Sequence, residues 1–465
     1  MRTHKISGTT VASLAAAGLV LAAGGAWAAA TPIEMNGDYS DWAPVAVAYD
    51  DASGDGGGSG IDFDRIWVSN DGTHLFIRIE LGTPFVLQES NDLRLYIDTD
   101  NNSGTGTSAA GLGADLVWNF GSRSGTFGGS SVGWDNLGLV ASPAFSADEF
   151  ELSIRRDATP GGPIFSSNTI RLAFRDTGGG GDWIPSSSTN VSYTFDNSAA
   201  LDPPVIDLAK DDAGHVRIMT YNVKNDGLWS STSEHTRLHE AIVPDIIAYQ
   251  EIYSHDGTET TDWVDNVFGG TWYNDYDGFE LHTISRYPIL NAWDTGLDRA
   301  RATLIDLPGT FDHDLLLINV HFKCCSSGDG QRQEQIDDVM SFVRDAMSPG
   351  GAITLAADTP IMILGDTNMY GDAQQVTTLL TGDIDDNGTY GPDFAPDWDG
   401  SDMDAVLSRN PAKRQTYTYY NEGSSYGPSH IDRITVTGST LNIGKSYVLH
   451  TPDLPAATLS AYGLQ

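Results

Sequence analysis

Cysteine is almost absent from this chain: there are two in 465 residues, Cys324 and Cys325, side by side. Adjacent Cα atoms across a trans peptide lie about 3.8 Å apart, below the usual span of about 4.4–6.8 Å for a disulfide. A bridge between them would be strained. Bridged or free, the pair ties no distant parts of the fold together, so stability must come from packing. Basic residues are scarce too, with 25 Lys and Arg against 63 Asp and Glu and a formal net charge of -38. A surface of that sign favours solubility, attracts divalent cations and repels polyanions at long range. It weighs against avid, sequence-independent DNA binding, which relies on Lys and Arg neutralising phosphates. Beyond Ala30 no apolar run is long enough to span a bilayer. No fixed-period repeat suggests a solenoid or propeller.

What is present begins with MRTHKISGTTVASLAAAGLVLAAGGAWAAA. Arg2, His4 and Lys5 precede an Ala/Leu/Val/Gly run that closes on Ala-Trp-Ala at Ala28. This is the pattern of a secretory signal peptide over residues 1–28, with a retained anchor as the alternative. The expectation is a secreted or periplasmic protein with no transmembrane segment in the mature chain. The length suggests two or three domains. Residues 31–201 carry short alternating runs such as DRIWVSN, THLFIRIEL, LRLYIDTD, ADLVWNF and EFELSIRR between turn residues, the pattern of an antiparallel β-sandwich. The stretch DPPVIDLAKDDAGH, residues 202–215, has two prolines and a charged Gly-containing end and reads as a linker. From residue 216 to 465 the runs VRIMTYNV, DIIAYQEI, HDLLLINVHF, PIMILGD and DRITVTG are more continuously apolar, as strands buried on both faces would be. In QRQEQIDDVMSFVRDAM, Ile336, Val339, Met340, Val343 and Met347 recur at three- and four-residue steps, which predicts an amphipathic helix. The fold class is therefore a layered α/β or α+β domain behind a β-sandwich.

Several of the apolar runs in the second part end in polar groups: Asn222, then Gln250 and Glu251, then Asn319 and His321, then Asp366 and Asn368 in GDTN, with Asp432 opening a further strand after His430. Each has a bland explanation as a turn cap, a solvated acid or a core histidine. Together, an amide, a carboxylate, a histidine and an Asp-x-Asn pair at strand ends are what phosphate-ester hydrolysis with a hard cation uses. Magnesium takes oxygen ligands and keeps several waters, so one or two carboxylates suffice, while a histidine shares or transfers a proton.

The order MTYNV, YQE, ISRYPI, NVHFK, GDTN and HIDRI resembles the endonuclease/exonuclease/phosphatase (DNase I-like) superfamily, from about Val216 onward. The resemblance implies a four-layer α/β/β/α sandwich and a phosphoric ester hydrolase that uses magnesium or manganese. It implies metal binding at Glu251 with Asn222, and catalytic roles for His321, Asp366, Asn368 and Asp432. Glu280 or His282 is a candidate to point toward the site. The implied function is an exported phosphodiesterase, nuclease first, with nucleic acid as the leading substrate. One departure stands out: the family closes with Ser-Asp-His on its last strand, and TPDLPAATLSAYGLQ contains no such motif. The expectation is that the chain stops before that strand and is catalytically crippled in this form; if it is active, the site is completed some other way, with His430 or His450 as the first suspects. The alternative function is a non-catalytic extracellular binding protein with a degenerate or truncated phosphoesterase domain. A third reading, a lipid head-group hydrolase, looks to Trp263, Phe268 and Trp272 in the expected loop from Asp256 to Tyr276, although local packing explains them as well.

In the first part, IEMNGDYSDWAPV, LRLYIDTDNNSGTG, GADLVWNF and DEFELSIRR resemble family-9-like carbohydrate-binding or DOMON-like sandwiches, which implies tethering to a polysaccharide or cell surface. Asp98, Asp100 and Asn102, at steps of two, are spaced to wrap Ca²⁺ or to make an acidic turn. Trp118 and Trp134 would fill the core or stack on a sugar, the core reading coming first.

Overall fold

A computed structural model describes residues 31–52, 54, 56, 60–198, 202–351 and 353–465. The stretch read as a signal peptide lies outside the described residues. Among them, no helix is long and apolar enough to cross a membrane.

The first domain is built from two large antiparallel sheets and a two-stranded ribbon, Thr107–Ala109 with Leu112–Ala114. One orders its strands as Val47–Asp50, Phe63–Asn70, His74–Phe85, Ala147–Arg155 and Val140–Ser142, and the other centres on Thr169–Asp176, Leu93–Asp98 and Leu116–Asn119. Their facing apolar residues, among them Phe63, Ile77, Leu95, Phe150 and Phe174, form one core. Trp118 and Trp134 belong to that core, each 4% exposed, so neither offers a ring to a sugar.

The second domain's strands are labelled β1 (Ile218–Asn222), β2 (Ile246–Gln250), β3 (Tyr273–Tyr276), β4 (His282–Ser285), β5 (Ile289–Asp294), β6 (Ala300–Ile305), β7 (Leu315–His321), β8 (Ile361–Asp366), β9 (Asp404–Ala405) and β10 (Asp432–Val436). They form two sheets, ordered β1-β2-β4-β3 and β5-β6-β7-β8-β10-β9. Side chains along a strand alternate between faces, and the alternation sorts them cleanly here. Ile246 and Ala248, Leu315 and Leu317, Met362 and Leu364 meet between the sheets. Helix α1 spans Thr232–Ile242, and Ile247 and Tyr249 face outward onto helix α2 (Gly257–Phe268), which contributes Trp263 and Val264. Leu316, Ile318, Val320, Ile361 and Ile363 face outward onto helix α3 (Asp329–Met347), whose Ile336, Val339, Met340 and Val343 are buried as the spacing predicts. Met347 is only partly buried. The result is the helix, sheet, sheet, helix layering expected from the motifs.

The segment expected as a loop from Asp256 to Tyr276 is largely α2. Asp256 caps it by accepting from Thr258 N and Glu259 N, and Glu259 reaches back in a capping box. Trp263 and Trp272 are each 7% exposed and pack with Phe268 against this helix's own sheet, which removes the lipid-facing reading. No strand follows Val436 among the described residues, and β1 is paired on one side only, by β2.

Residues 202–215 are held against the second domain. Leu208 is buried with Ala241, Leu454 and Leu464, and Lys210 pairs with Asp245. The two domains also meet directly. Met35 forms a bridge with Gln415, and the Thr416 hydroxyl donates to Met35 O. Trp134 Nε1 donates to Ser424 O at 3.0 Å while its ring stands edge-on to Tyr420. Ser146 N donates to Gly371 O at 2.6 Å, and Gly427 N donates to Gln88 Oε1 at 3.0 Å. Cys324 and Cys325 are exposed free thiols.

Candidate active site

The alternation that builds the inter-sheet core also builds the site. Following the inward-facing positions along each strand, the residues turn from apolar to polar at the same end: Ile218 to Asn222, Ala248 to Gln250, Leu317 to Asn319 and His321, Leu364 to Asp366, and Ile434 back to Asp432 on an antiparallel strand. Register brings them level, with Asn222 opposite Gln250, His321 opposite Asp366 and Asp366 opposite Asp432. The two sheets are joined at this end by Gln250 Nε2 donating to Asn319 Oδ1 at 2.7 Å. Gly365 explains itself by space: a Cβ there would sit 1.9 Å from Val320 O, and its φ of +148° disfavours any side chain.

These polar ends open into a cleft of about 1320 Å³. Asn222 Nδ2 donates to Glu251 Oε1 and to Asp366 Oδ2, both at 2.9 Å, placing an amide between two carboxylates. Glu251, one residue past β2, has a left-handed backbone at φ +63°, and its Oε2 accepts from Asn225 N at 3.0 Å. Asn368 is also left-handed, at φ +48°. Its N–H donates to Asp366 Oδ1 at 3.1 Å and its Nδ2 donates to Phe322 O at 3.2 Å. Such conformations are uncommon outside glycine and cluster where surrounding structure over-determines them.

His321, 5% exposed, is held from behind by Glu280: Nδ1 lies 2.6 Å from Glu280 Oε2. That contact leaves Nε2 facing the cleft, 3.8 Å from Asp366 Oδ2 and 3.9 Å from Glu251 Oε1. Arg299 pairs with the other oxygen of Glu280 at 3.0 Å. Burial alone would push the imidazole toward neutrality, but the Glu280 hydrogen bond and the charges of Asp366 and Glu280 outweigh it, so His321 titrates above its ordinary value. Burial likewise works against ionisation of Glu280, yet the hydrogen bond and charge of His321, with Arg299, hold it below the usual carboxylate range. Asp366 is raised, chiefly by burial. Asp432 is pushed up to about 7, by burial and then by the charge of Asp366. Thr418 Oγ1 accepts from Asp432 N at 2.9 Å and so ties this strand start to the loop that meets the first domain.

The six expected residues of this domain therefore share one cleft. Of the pair Glu280 and His282, the structure selects Glu280; His282 is fully buried and meets Thr260 Oγ1 instead. His430 lines the cleft with its pKa driven down to about 3 by burial. His450 is engaged by Asp453 at 2.9 Å and by Tyr417. Arg299, Thr418 and Tyr253 go beyond the expected set; they come from loops and strand starts whose side-chain direction no local pattern reveals. Lys224, Arg299 and Lys323 line the polar end of the cleft beside Glu251, Asp366 and Asp432, while Lys210 and Lys445 stand at the other end of β1, paired with Asp245 and Asp211. The Glu251 carboxylate offers oxygens that suit a hard divalent cation, whereas Asn222 turns its Nδ2 between Glu251 and Asp366 and its Oδ1 accepts from Lys224 N at 2.9 Å.

A search of curated proteins finds no match. Among solved structures, a β-hairpin deletion mutant of beta toxin from Staphylococcus aureus aligns at 15% identity over 52% of this chain and 94% of that one, with a TM-score of 0.34. TDP2 from Caenorhabditis elegans aligns at 17% identity over 48% and 64%, with a TM-score of 0.33. The human Nocturnin catalytic domain aligns at 13% identity over 49% and 85%, with a TM-score of 0.30. The Endonuclease/Exonuclease/phosphatase family profile matches residues 219–459, more than half of the 465 residues, and the chain belongs to that family.

Proposed function

We propose that the second domain hydrolyses phosphate diesters with a divalent cation, magnesium or manganese, held by Glu251. The observation that carries this reading is His321, oriented by Glu280, with its free nitrogen facing Asp366 and Glu251 across the cleft. A cation bound there would neutralise phosphate charge and lower the pKa of water. The chain's own residues supply the rest. Glu280 favours the protonated imidazole, so His321 donates a hydrogen bond to a phosphoryl oxygen as negative charge grows on it. Asp366 and Asn368 orient the attacking water, whose proton passes to the Asp366 carboxylate as the new P–O bond forms. The bond to the leaving oxygen breaks and that oxygen takes a proton from solvent, while Asp432, raised toward neutrality, limits the negative charge beside Asp366. Lys224, Lys323 and Arg299 hold the remaining phosphate charge.

Nucleic acid is the first substrate to test, in short strands rather than long duplexes, since the acidic surface outside the cleft repels a polyanion. Export follows from the N-terminal stretch as part of the same proposal, and localisation of a tagged full chain by fractionation tests it. A role for the first domain as a tether to polysaccharide or cell surface would use surfaces other than Trp118 and Trp134. The deciding assay is hydrolysis of bis(p-nitrophenyl) phosphate and of short single-stranded oligonucleotides with Mg²⁺, Mn²⁺ or EDTA, comparing the parent with Glu251→Gln. Cation-dependent turnover that Glu251→Gln abolishes supports the proposal. No turnover on either substrate favours the non-catalytic alternative.

A further inference from the structure

A second group of acids lies in the first domain. The strand Leu93–Asp98 pairs antiparallel with Leu116–Asn119, with Ile97 opposite Leu116, and this register sets Asp115 beside Asp98. The turn that follows, TDNNSGTG, folds Asp100 back toward both: Asn102 N donates to Asp98 Oδ1 at 2.9 Å and to Asp100 Oδ1 at 2.8 Å. Asp115 Oδ2 accepts from Thr99 N at 2.9 Å and from Thr99 Oγ1 at 3.0 Å. One carboxylate oxygen from each of Asp98, Asp100 and Asp115 lies within 4.8 Å of the others. Asn102, expected as the third ligand, instead turns its Oδ1 to Gly104 N at 3.0 Å.

Proximity of three acids is common on an acidic surface and by itself identifies nothing. The discriminating feature is Asp98. It is fully buried, 0% exposed, and its Oδ2 is enclosed without a hydrogen-bond donor. A buried carboxylate oxygen left unpaired beside two like charges is unfavourable unless something positive satisfies it. The spacing suits calcium: ligands on opposite sides of an ion at about 2.4 Å stand about 4.8 Å apart, and calcium accepts irregular sets of six to eight oxygens that mix carboxylates, backbone carbonyls and water.

We propose that Asp98, Asp100 and Asp115 bind a calcium ion that pins the Asp98–Asp115 loop to the sandwich. The test uses the full chain and calcium itself, by equilibrium dialysis of radiolabelled Ca²⁺ in near-physiological salt with excess Mg²⁺ to suppress binding at the catalytic cleft and on the acidic surface. The expected result is one saturable ion per chain, with a Kd of about 10⁻⁴ to 10⁻³ M as in extracellular modules. Asp98→Asn and Asp115→Asn should each weaken it about tenfold or more, while Glu251→Gln leaves it unchanged. Absence of saturable binding, or equal binding by Asp98→Asn, overturns the proposal; so does loss of the ion in Glu251→Gln, which would place it in the other domain. Melting curves supply a control for folding. In EDTA, Asp98→Asn should melt no lower than the parent, because it removes one of three crowded charges. Added calcium should raise the parent's midpoint and not the variant's. A variant already less stable in EDTA would show that the Asp98 carboxylate is satisfied without an ion.

Discussion

Both domains gather carboxylates at the ends of buried strands, and they treat them differently. In the second domain Glu251, Asp366 and Asp432 meet groups the chain itself supplies: the Asn222 amide, the His321 imidazole, the Thr418 hydroxyl. In the first, Asp98, Asp100 and Asp115 meet one another, with donors limited to backbone N–H groups and threonine hydroxyls. Acids surrounded by titrating and polarised neighbours are arranged for proton traffic. Acids crowded without such neighbours suit a cation from outside. Under the two proposals the difference is a division of labour between turnover and scaffolding, and substitutions can probe it.

The largest effect is expected at His321. His321→Ala should lower kcat about 10² to 10⁴-fold, the range for a positioned acid or base. It should also lower the denaturation midpoint, because the buried Glu280 keeps Arg299 but loses the imidazole, so the rate is read on the folded fraction. A loss of stability in place of a loss of rate would make His321 a core histidine and erase the contrast. Next is Trp134, in the first domain's core yet in contact with Ser424 and Tyr420 of the second. Trp134→Ala should cost about 3–5 kcal/mol in urea denaturation, and turnover of the remaining folded protein should fall as well if the contact positions the cleft loop. Full activity of the folded fraction would separate the domains functionally.

Glu280→Gln ranks third. It keeps the shape and removes the charge that favours protonated His321, and a hydrogen bond to a charged group contributes about 1.5–3 kcal/mol, or about 10- to 100-fold in rate. Since Glu280 raises the His321 pKa, the alkaline limb of the pH–rate profile should move to lower pH in the variant. A limb that does not move would reduce Glu280 to packing. The smallest effect belongs to Glu151, fully buried in the first domain, where Trp42 Nε1 donates to it at 2.8 Å and Gly37 N at 3.0 Å. Burial pushes its carboxyl up to about 8. Between the unfolded value of about 4.3 and that folded value, the native state holds a proton the unfolded chain lacks, so stability falls as pH rises through this window. Glu151→Gln should flatten that slope while lowering stability near pH 4 by about 1–3 kcal/mol, because its NH2 cannot accept and its single oxygen cannot serve both Trp42 Nε1 and Gly37 N. An unaltered slope would assign the pH dependence elsewhere.

The strand ends are legible in the sequence because runs such as LLLINVHF and PIMILGD bury both faces, so the polar residue that ends each one must mark a boundary. Period-two alternation then places Asn319 and His321 on the same face as Leu315 and Leu317, and Asp366 on that of Met362 and Leu364. The partner of His321 is less legible: Glu280 and His282 both fit by position, and only the backbone path into β4 decides between them. Arg299 and Thr418 reach the cleft from loops, where no periodicity restricts direction. Asp115 is visible as an acid before a strand, but its meeting with Asp98 depends on strand pairing, a long-range property. The helix α2 had a readable start in Asp256 and Glu259, hidden by the polar residues and glycines around its aromatic stripe.

The contacts between Met35 and Gln415, Gln88 and Gly427, and Trp134 and Ser424 also set an order in time. A ribosome makes the first partner of each pair hundreds of residues before the second, and N-terminal domains generally fold first. The loop from Asn410 to Ser429 thus emerges onto a surface that already exists. Folding in that order would make the sandwich a mould for it, with Thr418, which receives the N–H of Asp432, placed last.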